Sequence, residues 1–353
     1  MSLLEKTAAM ITGQDQAWRT RARARLDQLA IPHWALGRLM DLGLDLVGQT
    51  RALPPPVSRK VIITMAGDHG VAAEGVSKFP QDVTPQMVAN FARGGAGINV
   101  LARQAGADVV VVDMGVAADL SALTAGGEVI DKKVAMGTAN MSQGPAMSRE
   151  EAVRAVEAGI EVVNELTDYD VFGTGDMGIA NTTPSSAIVA ALTGRAVAEV
   201  TGRGTGLDDR QVAAKIAVIS RALEINRPNP ADGLDVLSKV GGFEIGGIAG
   251  VIIGAAALHK PVVVDGFIST AGALIAQSLA PMTAEYIIAA HRSMENGHGV
   301  MQGHLKCRPL LDLNLRLGEG TGAALAMHLV EAAARIVSEV ATFEEAAVAG
   351  ADK

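Results

Sequence analysis

The chain has 353 residues, 49% of them hydrophobic and 19% charged, which is material for one large core with a smaller unit attached. Aromatic residues are only 3%, and 30 basic against 38 acidic side chains leave a net charge of −8, so neither a base-stacking platform nor a polyanion-binding surface is supported. A single cysteine, Cys307, excludes an internal disulfide framework and fits a reducing compartment.

In chain order, Met1 to Lys6 reaches charge at once, so no signal peptide is expected there. Residues 1 to about 50 read as helices without strands. Within them Arg19, Arg21, Arg23 and Arg25 recur at period two, which scatters their charges around a helix as a solvated face. Leu53-Pro54-Pro55-Pro56 reads as a stiff linker. Four apolar runs then follow at intervals, Val61–Ala66, Val109–Val112, Tyr169–Phe172 and Pro261–Val264. Near-continuous rather than alternating hydrophobicity predicts strands of a parallel sheet covered on both faces.

Helical patterns lie between these runs. One starts at Thr84-Pro85 and continues to Leu101; Ser148 and Glu151 form a capping box for Ala152–Leu166; Asp208–Ile225 and Gly322–Val340 are two more. The most apolar stretch, Ile245–Leu258, has 14 residues, short of the roughly 18–20 that span a membrane, and its four glycines suit close packing on a sheet. Strand–helix alternation gives an α/β fold with a doubly wound, mostly parallel sheet, helices on both faces and a small helical subdomain from the chain termini. The expected division is residues 1–55 with 325–353 as the helical subdomain and 56–324 as the catalytic α/β domain. A cytoplasmic protein that binds neither nucleic acid nor membrane is expected.

In such folds ligands sit beyond the carboxyl ends of the strands. Asp68, Asp113, Asp176 and Asp265 end the four runs and either line a cleft there or merely fix loops. Gly173 to Pro184 leads from glycines into a helix start whose N–H groups and dipole suit a phosphate, with Asn181 to Thr183 as capping residues. Gly202-Arg203-Gly204-Thr205-Gly206 offers a second backbone cradle, with Lys215 beyond it as counter-charge. No Gly-Lys-Ser/Thr follows, so this is not a P-loop, and the literal Gly-x-Gly-x-x-Gly at Gly173–Gly178 comes too late for a dinucleotide fingerprint. Glu319 stands between Gly318 and Gly320 with leucines nearby. Burial would raise its pKa and suit it to general base work, whereas capping the next helix would lower it. The histidines His291, His298 and His304 are too loosely spaced for a metal pair, and neither a metal nor a cofactor is expected.

Seven motifs stand in one order along the chain: Gly67-Asp68-His69-Gly70-Val71, Pro80 to Thr84, Gly173 to Thr183, Asn226-Arg227-Pro228-Asn229-Pro230, Leu237 to Phe243, Val264-Asp265-Gly266-Phe267 and Arg316 to Ala324. Together they resemble the nicotinate-nucleotide:dimethylbenzimidazole phosphoribosyltransferase family of cobalamin lower-ligand synthesis. The resemblance implies transfer of the 5-phosphoribosyl group of nicotinate mononucleotide to 5,6-dimethylbenzimidazole without a metal, giving α-ribazole 5′-phosphate and nicotinate with inversion at the anomeric carbon. It places Glu319 as general base and Met87, Met177 and Leu317 in the benzimidazole pocket. The phosphate and ribose fall to Gly175, Gly178, Ile179, Ala180, Asn181, Gly202, Gly204, Thr205 and Lys215, with Asp68 and Asp265 in the cleft. Asp176 falls on a supporting carboxylate that is commonly Glu in the family, one methylene longer. A homodimer is implied. The rival readings are a glycosyl-bond hydrolase on the same cradle and a nucleotide-sensing module that binds without turnover.

Overall fold

The computed structural model describes residues 1–349, so the last four residues of the expected terminal subdomain lie outside the described residues. Six strands, β1 (Lys60–Gly67), β2 (Ala107–Gly115), β3 (Ile130–Asp131), β4 (Val171–Met177), β5 (Val262–Val264) and β6 (Ile287–Ala289), form one sheet in the order β3-β2-β1-β4-β5-β6. Every neighbouring pair is parallel. The four predicted strands are its centre. β3 and β6 were not predicted: they have two and three residues at the two edges, and neither carries a β-branched run like the three valines of the equally short β5.

All eight residues of β1 are buried, as a strand covered on both faces requires. Val61, Ile63 and Met65 face one core, which includes apolar residues of the helices Arg149–Glu165 and Phe243–Ala257. Ile62 and Ala66 face a second core, which includes residues of the helices Gly97–Ala105 and Thr321–Glu339. The helix Phe243–Ala257 is buried along its whole length, and a methyl on its Gly250 would overlap the Val156 carbonyl of the neighbouring helix, so small residues bring the two backbones together.

Two local expectations need correction. The single helix foreseen from Thr84 to Leu101 is two, Val83–Ala92 and Gly97–Ala105, because the chain turns at Gly94 with φ of +76° and at Gly95 beside it. The arginine run is not a plain solvated face: Arg19 pairs with Asp45, and Arg25 reaches the Val337 carbonyl and Glu345 near the other end of the chain. These contacts border a third, small core of Ala22, Leu26, Leu29, Met40, Leu44, Val47 and Val337. Leu4 and Ile11, also near the start of the chain, belong instead to the first core.

The strand order reverses between β1 and β4: the sheet grows to β2 and β3 on one side and to β5 and β6 on the other. Crossover loops diverge at that point and leave a crevice outside the strand ends. Met65 pairs with Asp176 and Ala66 with Met177 in the register of these two strands, which brings the end of β4 to the crevice.

Candidate active site

A cavity of about 380 Å³ opens at the carboxyl ends of the strands, within the range for a small-molecule site. Its apolar wall includes Val83, Met87, Met177, Ile179 and Phe267, and its polar groups include Asp176, Asn181, Thr182, His291, Ser293, Glu295 and Glu319. Leu317 and Phe79 stand at the mouth, 61% and 52% exposed.

Glu319 is held by three elements at once. The chain passes through Gly318, Glu319 and Gly320 with φ of +84°, +64° and +98°, a left-handed run that glycine tolerates on either side of the glutamate. The hydroxyl of Thr64 on β1 donates to the Glu319 carbonyl at 2.9 Å, and the Glu319 amide donates to the Asp176 carbonyl at 3.2 Å. Its carboxylate turns away from the helix that follows, Thr321–Glu339, and accepts from the Ile98 amide at 3.0 Å, at the first turn of the helix Gly97–Ala105. The sequence offered burial or capping of the following helix; the structure buries the group and caps a different helix. Burial raises the pKa and the negative Asp265 adds to it, against the Ile98 hydrogen bond.

Gly175 does not touch the cavity. A methyl there would overlap the Glu319 carbonyl, so this glycine is the seat of the Glu319 loop. Gly175→Ala is expected to cost about 10²-fold in kcat through misplacement of Glu319. Turnover measured alongside thermal melting separates this from general unfolding; wild-type kcat in the variant would remove the role.

Asp176 is buried, accepts from the Asn181 side-chain amide at 3.0 Å and keeps its other carboxyl oxygen without a partner. Burial, then the charges of Asp265, Glu244 and Glu319, push its pKa well above the ordinary value. Asn181 occupies the N-cap position of the helix Thr182–Thr193 but makes no side-chain cap, because it is turned to Asp176. The amides of Ile179, Asn181 and Thr183 are also occupied, by the Thr84 hydroxyl and the Gly178 and Ala180 carbonyls. The free row of N–H groups expected along this turn is therefore partly used up in shaping it. Ala180 sustains the turn at φ of +74°.

Lys215 arrives from the helix Asp209–Asn226 with no exposed surface and donates to the Thr182 hydroxyl at 2.6 Å. Burial lowers its pKa to about 8, while the Glu295 carboxylate opposes the shift. Gly204 and Thr205 line the cavity next to it, and Gly202 lies in a cleft that continues from it, lined also by Arg203, Met294 and Arg316.

The remaining predicted carboxylates act behind the wall. Asp265 accepts from the Gly320 and Ala323 amides at 3.2 and 2.9 Å and lies 3.6 Å from His291, so it pins the loop that carries Glu319. Asp68 accepts from the Ala117 amide at 2.9 Å, and Asp113 pairs with Lys133 at 3.0 Å while holding the Gly115 and Val116 amides. Neither Asp68, Asp113 nor Asp265 lines the cavity. Thr182, Ser293, Glu295, His291 and Phe79 do line it and were not foreseen. Thr182 opens the helix Thr182–Thr193, and the other four stand outside regular helices and strands, where sequence periodicity carries no signal.

The phosphoribosyltransferase family model matches residues 11–348. The chain belongs to this family. A nicotinate-nucleotide–dimethylbenzimidazole phosphoribosyltransferase of Syntrophotalea carbinolica is 62% identical over 349 residues, 99% of each chain. That of Desulfotalea psychrophila is 60% identical over the full length of both. Among solved structures, CobT from Thermus thermophilus superposes with a TM-score of 0.90 at 44% identity, covering 95% of this chain and all of that one. The family's likeness thus extends over the terminal helices as well as the sheet, and the chain is a phosphoribosyltransferase.

Proposed function

We propose that the cavity binds nicotinate mononucleotide with its phosphate at Thr182, Gly204 and Lys215, and 5,6-dimethylbenzimidazole against Met87, Met177 and Leu317. The enzyme transfers the 5-phosphoribosyl group from the first to the second, the reaction in the names of its relatives. The observation that carries the placement is a buried cation standing behind one lining group of the cavity and a carboxylate on its wall. Lys215 stands outside the lining and reaches the cavity through the Thr182 hydroxyl, while the carboxylate of Glu319, its pKa raised by burial, lines the cavity together with Met87, Met177 and Leu317.

One benzimidazole nitrogen forms a bond to the anomeric carbon as the bond from that carbon to the pyridine nitrogen breaks. The bonding pair returns to the ring and nicotinate leaves. The proton on the other benzimidazole nitrogen passes to Glu319, so no cationic product accumulates. Positive charge grows on the ribose during this exchange, and the Glu319 carboxylate, ionised until it takes the proton, favours it electrostatically. Attack from the face opposite nicotinate gives inversion. The same proposal includes a homodimer, a cytoplasmic setting and the terminal helices as a small subdomain, the last supported by the separate core around Met40 and Val337.

The test is a mass-spectrometric assay of the purified protein with both substrates and no added metal. Equal amounts of α-ribazole 5′-phosphate and nicotinate are expected, with the α configuration assigned by NMR. Nicotinate with ribose 5-phosphate in place of the ribazole would mean hydrolysis. Binding without turnover would mean a sensor.

A further inference from the structure

The cavity holds one buried carboxylate to which the reaction above gives no task. Glu295 lies after β6, in the segment between His291 and the helix His298–His304. It is only 8% exposed, yet it lines the cavity with Gly204, Thr205 and Ser293. Its Oε2 is buried without a hydrogen-bond partner. Among the described residues no cation comes within ion-pair distance of it. Burial raises its pKa, while Lys215 and the Gly204 amide favour its charged form. The chain makes room for this carboxylate, since a methyl on Gly202 would overlap Oε2.

A buried acceptor without a donor is costly in a folded protein, so a donor supplied by the ligand is the economical explanation. The substrates bring few donors. The nucleotide's phosphate and the nicotinate carboxylate are acceptors, and the benzimidazole N–H faces Glu319. Only the ribose hydroxyls are unassigned, and a ribose joined to a phosphate at Gly204 lies beside Glu295. We propose that Glu295 accepts hydrogen bonds from the ribose hydroxyls of the bound nucleotide and makes the enzyme selective for ribose over deoxyribose. This rests on the phosphate placement proposed above.

A site built to bond a hydroxyl rejects the analogue that lacks it far more strongly than an apolar pocket rejects a missing methylene, because the protein's own polar group is then left unpaired. The experiment compares kcat/KM for nicotinate mononucleotide with that for its 2′-deoxy and 3′-deoxy forms. Wild-type enzyme is expected to prefer the ribonucleotide over at least one of them by about 10²-fold or more. In Glu295→Ala that preference collapses below about tenfold, chiefly by loss of activity on the ribonucleotide. Glu295→Gln, which keeps an acceptor, falls between. Gly202→Ala, which displaces the carboxylate without removing it, lowers the same preference and serves if the alanine variant fails to fold. Lys215→Ala is expected to weaken ribo- and deoxynucleotides alike, which identifies the phosphate contact separately. Calorimetric affinities for the three nucleotides give the same ratio without turnover, so the proposal is still tested if transfer itself is refuted. Equal wild-type use of ribo- and deoxynucleotides overturns it. So do Glu295 variants that lose activity while the preference stays intact.

Discussion

Glu319→Gln is expected to lower kcat by about 10²- to 10³-fold, the usual contribution of a positioned general base, while the affinity for nicotinate mononucleotide stays within about twofold. The glutamine carbonyl preserves the acceptor that the Ile98 amide requires, and the backbone bonds from Thr64 and to Asp176 do not involve the side chain. The loop therefore stays in place, and the loss reports proton transfer rather than collapse. Burial raises the Glu319 pKa above the ordinary 4.5, so the wild-type rate should fall in acid at a pH higher than a free glutamate would give, as the base becomes protonated. That acid limb disappears in the glutamine variant; whatever limb survives belongs to protonation of the substrates. Steady-state rates from pH 4 to 9 with calorimetric nucleotide affinities decide the matter. An unchanged kcat, or a loss confined to nucleotide affinity, removes Glu319 from the base role.

How this site was legible in the sequence differs from group to group. Glu319 was legible because Gly-Glu-Gly is an uncommon setting whose cause the structure supplies: three successive left-handed residues, of which the two flanking glycines take that conformation without strain and only Glu319 is strained. Lys215 was legible as a counter-charge a short helical stretch past a glycine loop. The strand-end aspartates were visible but not sortable. Asp176 lines the cavity, Asp265 stands behind it holding the Glu319 loop, and Asp68 and Asp113 fasten other loops, although all four look alike in sequence. Which one faces the ligand depends on strand order, and β4 alone of those four strands ends at the switch point with its acid turned into the cavity. Glu295 and His291 carried no signal, since the glycines packed directly against them, Gly202 and Gly322, are far away in the chain. The central sheet was readable because buried parallel strands are long apolar runs. Its edges were not: β5 is as short as β6 but consists of three successive valines, whereas β3 has one β-branched residue and β6 two.

Lys215→Met is expected to weaken nicotinate mononucleotide binding by about 10²-fold, as loss of a buried charged partner of a phosphate should, without loss of stability at neutral pH. The sign follows from its lowered pKa. Lys215 titrates near pH 8 in the folded chain and near 10.5 when unfolded, so between these values the unfolded state binds the extra proton. Its contribution to stability therefore rises as pH goes from 8 to 10.5, and at pH 7 the buried charge is a cost that methionine removes. Affinity runs the other way. The phosphate needs the ammonium form, so above about pH 8 each bound nucleotide must bring a proton with it, and wild-type affinity falls by up to tenfold per pH unit. Below about pH 6 the phosphate itself loses its second charge, which confines tight binding to the interval between. Calorimetry in buffers of different ionisation heat, from pH 6 to 10, should show proton uptake in the wild type above pH 8 and none from this group in the variant. Thermal melts over the same range should show a wild-type gain toward alkaline pH that Lys215→Met lacks. A wild-type affinity flat through pH 9, or a variant that binds the nucleotide unaltered, would place the phosphate elsewhere in the cavity.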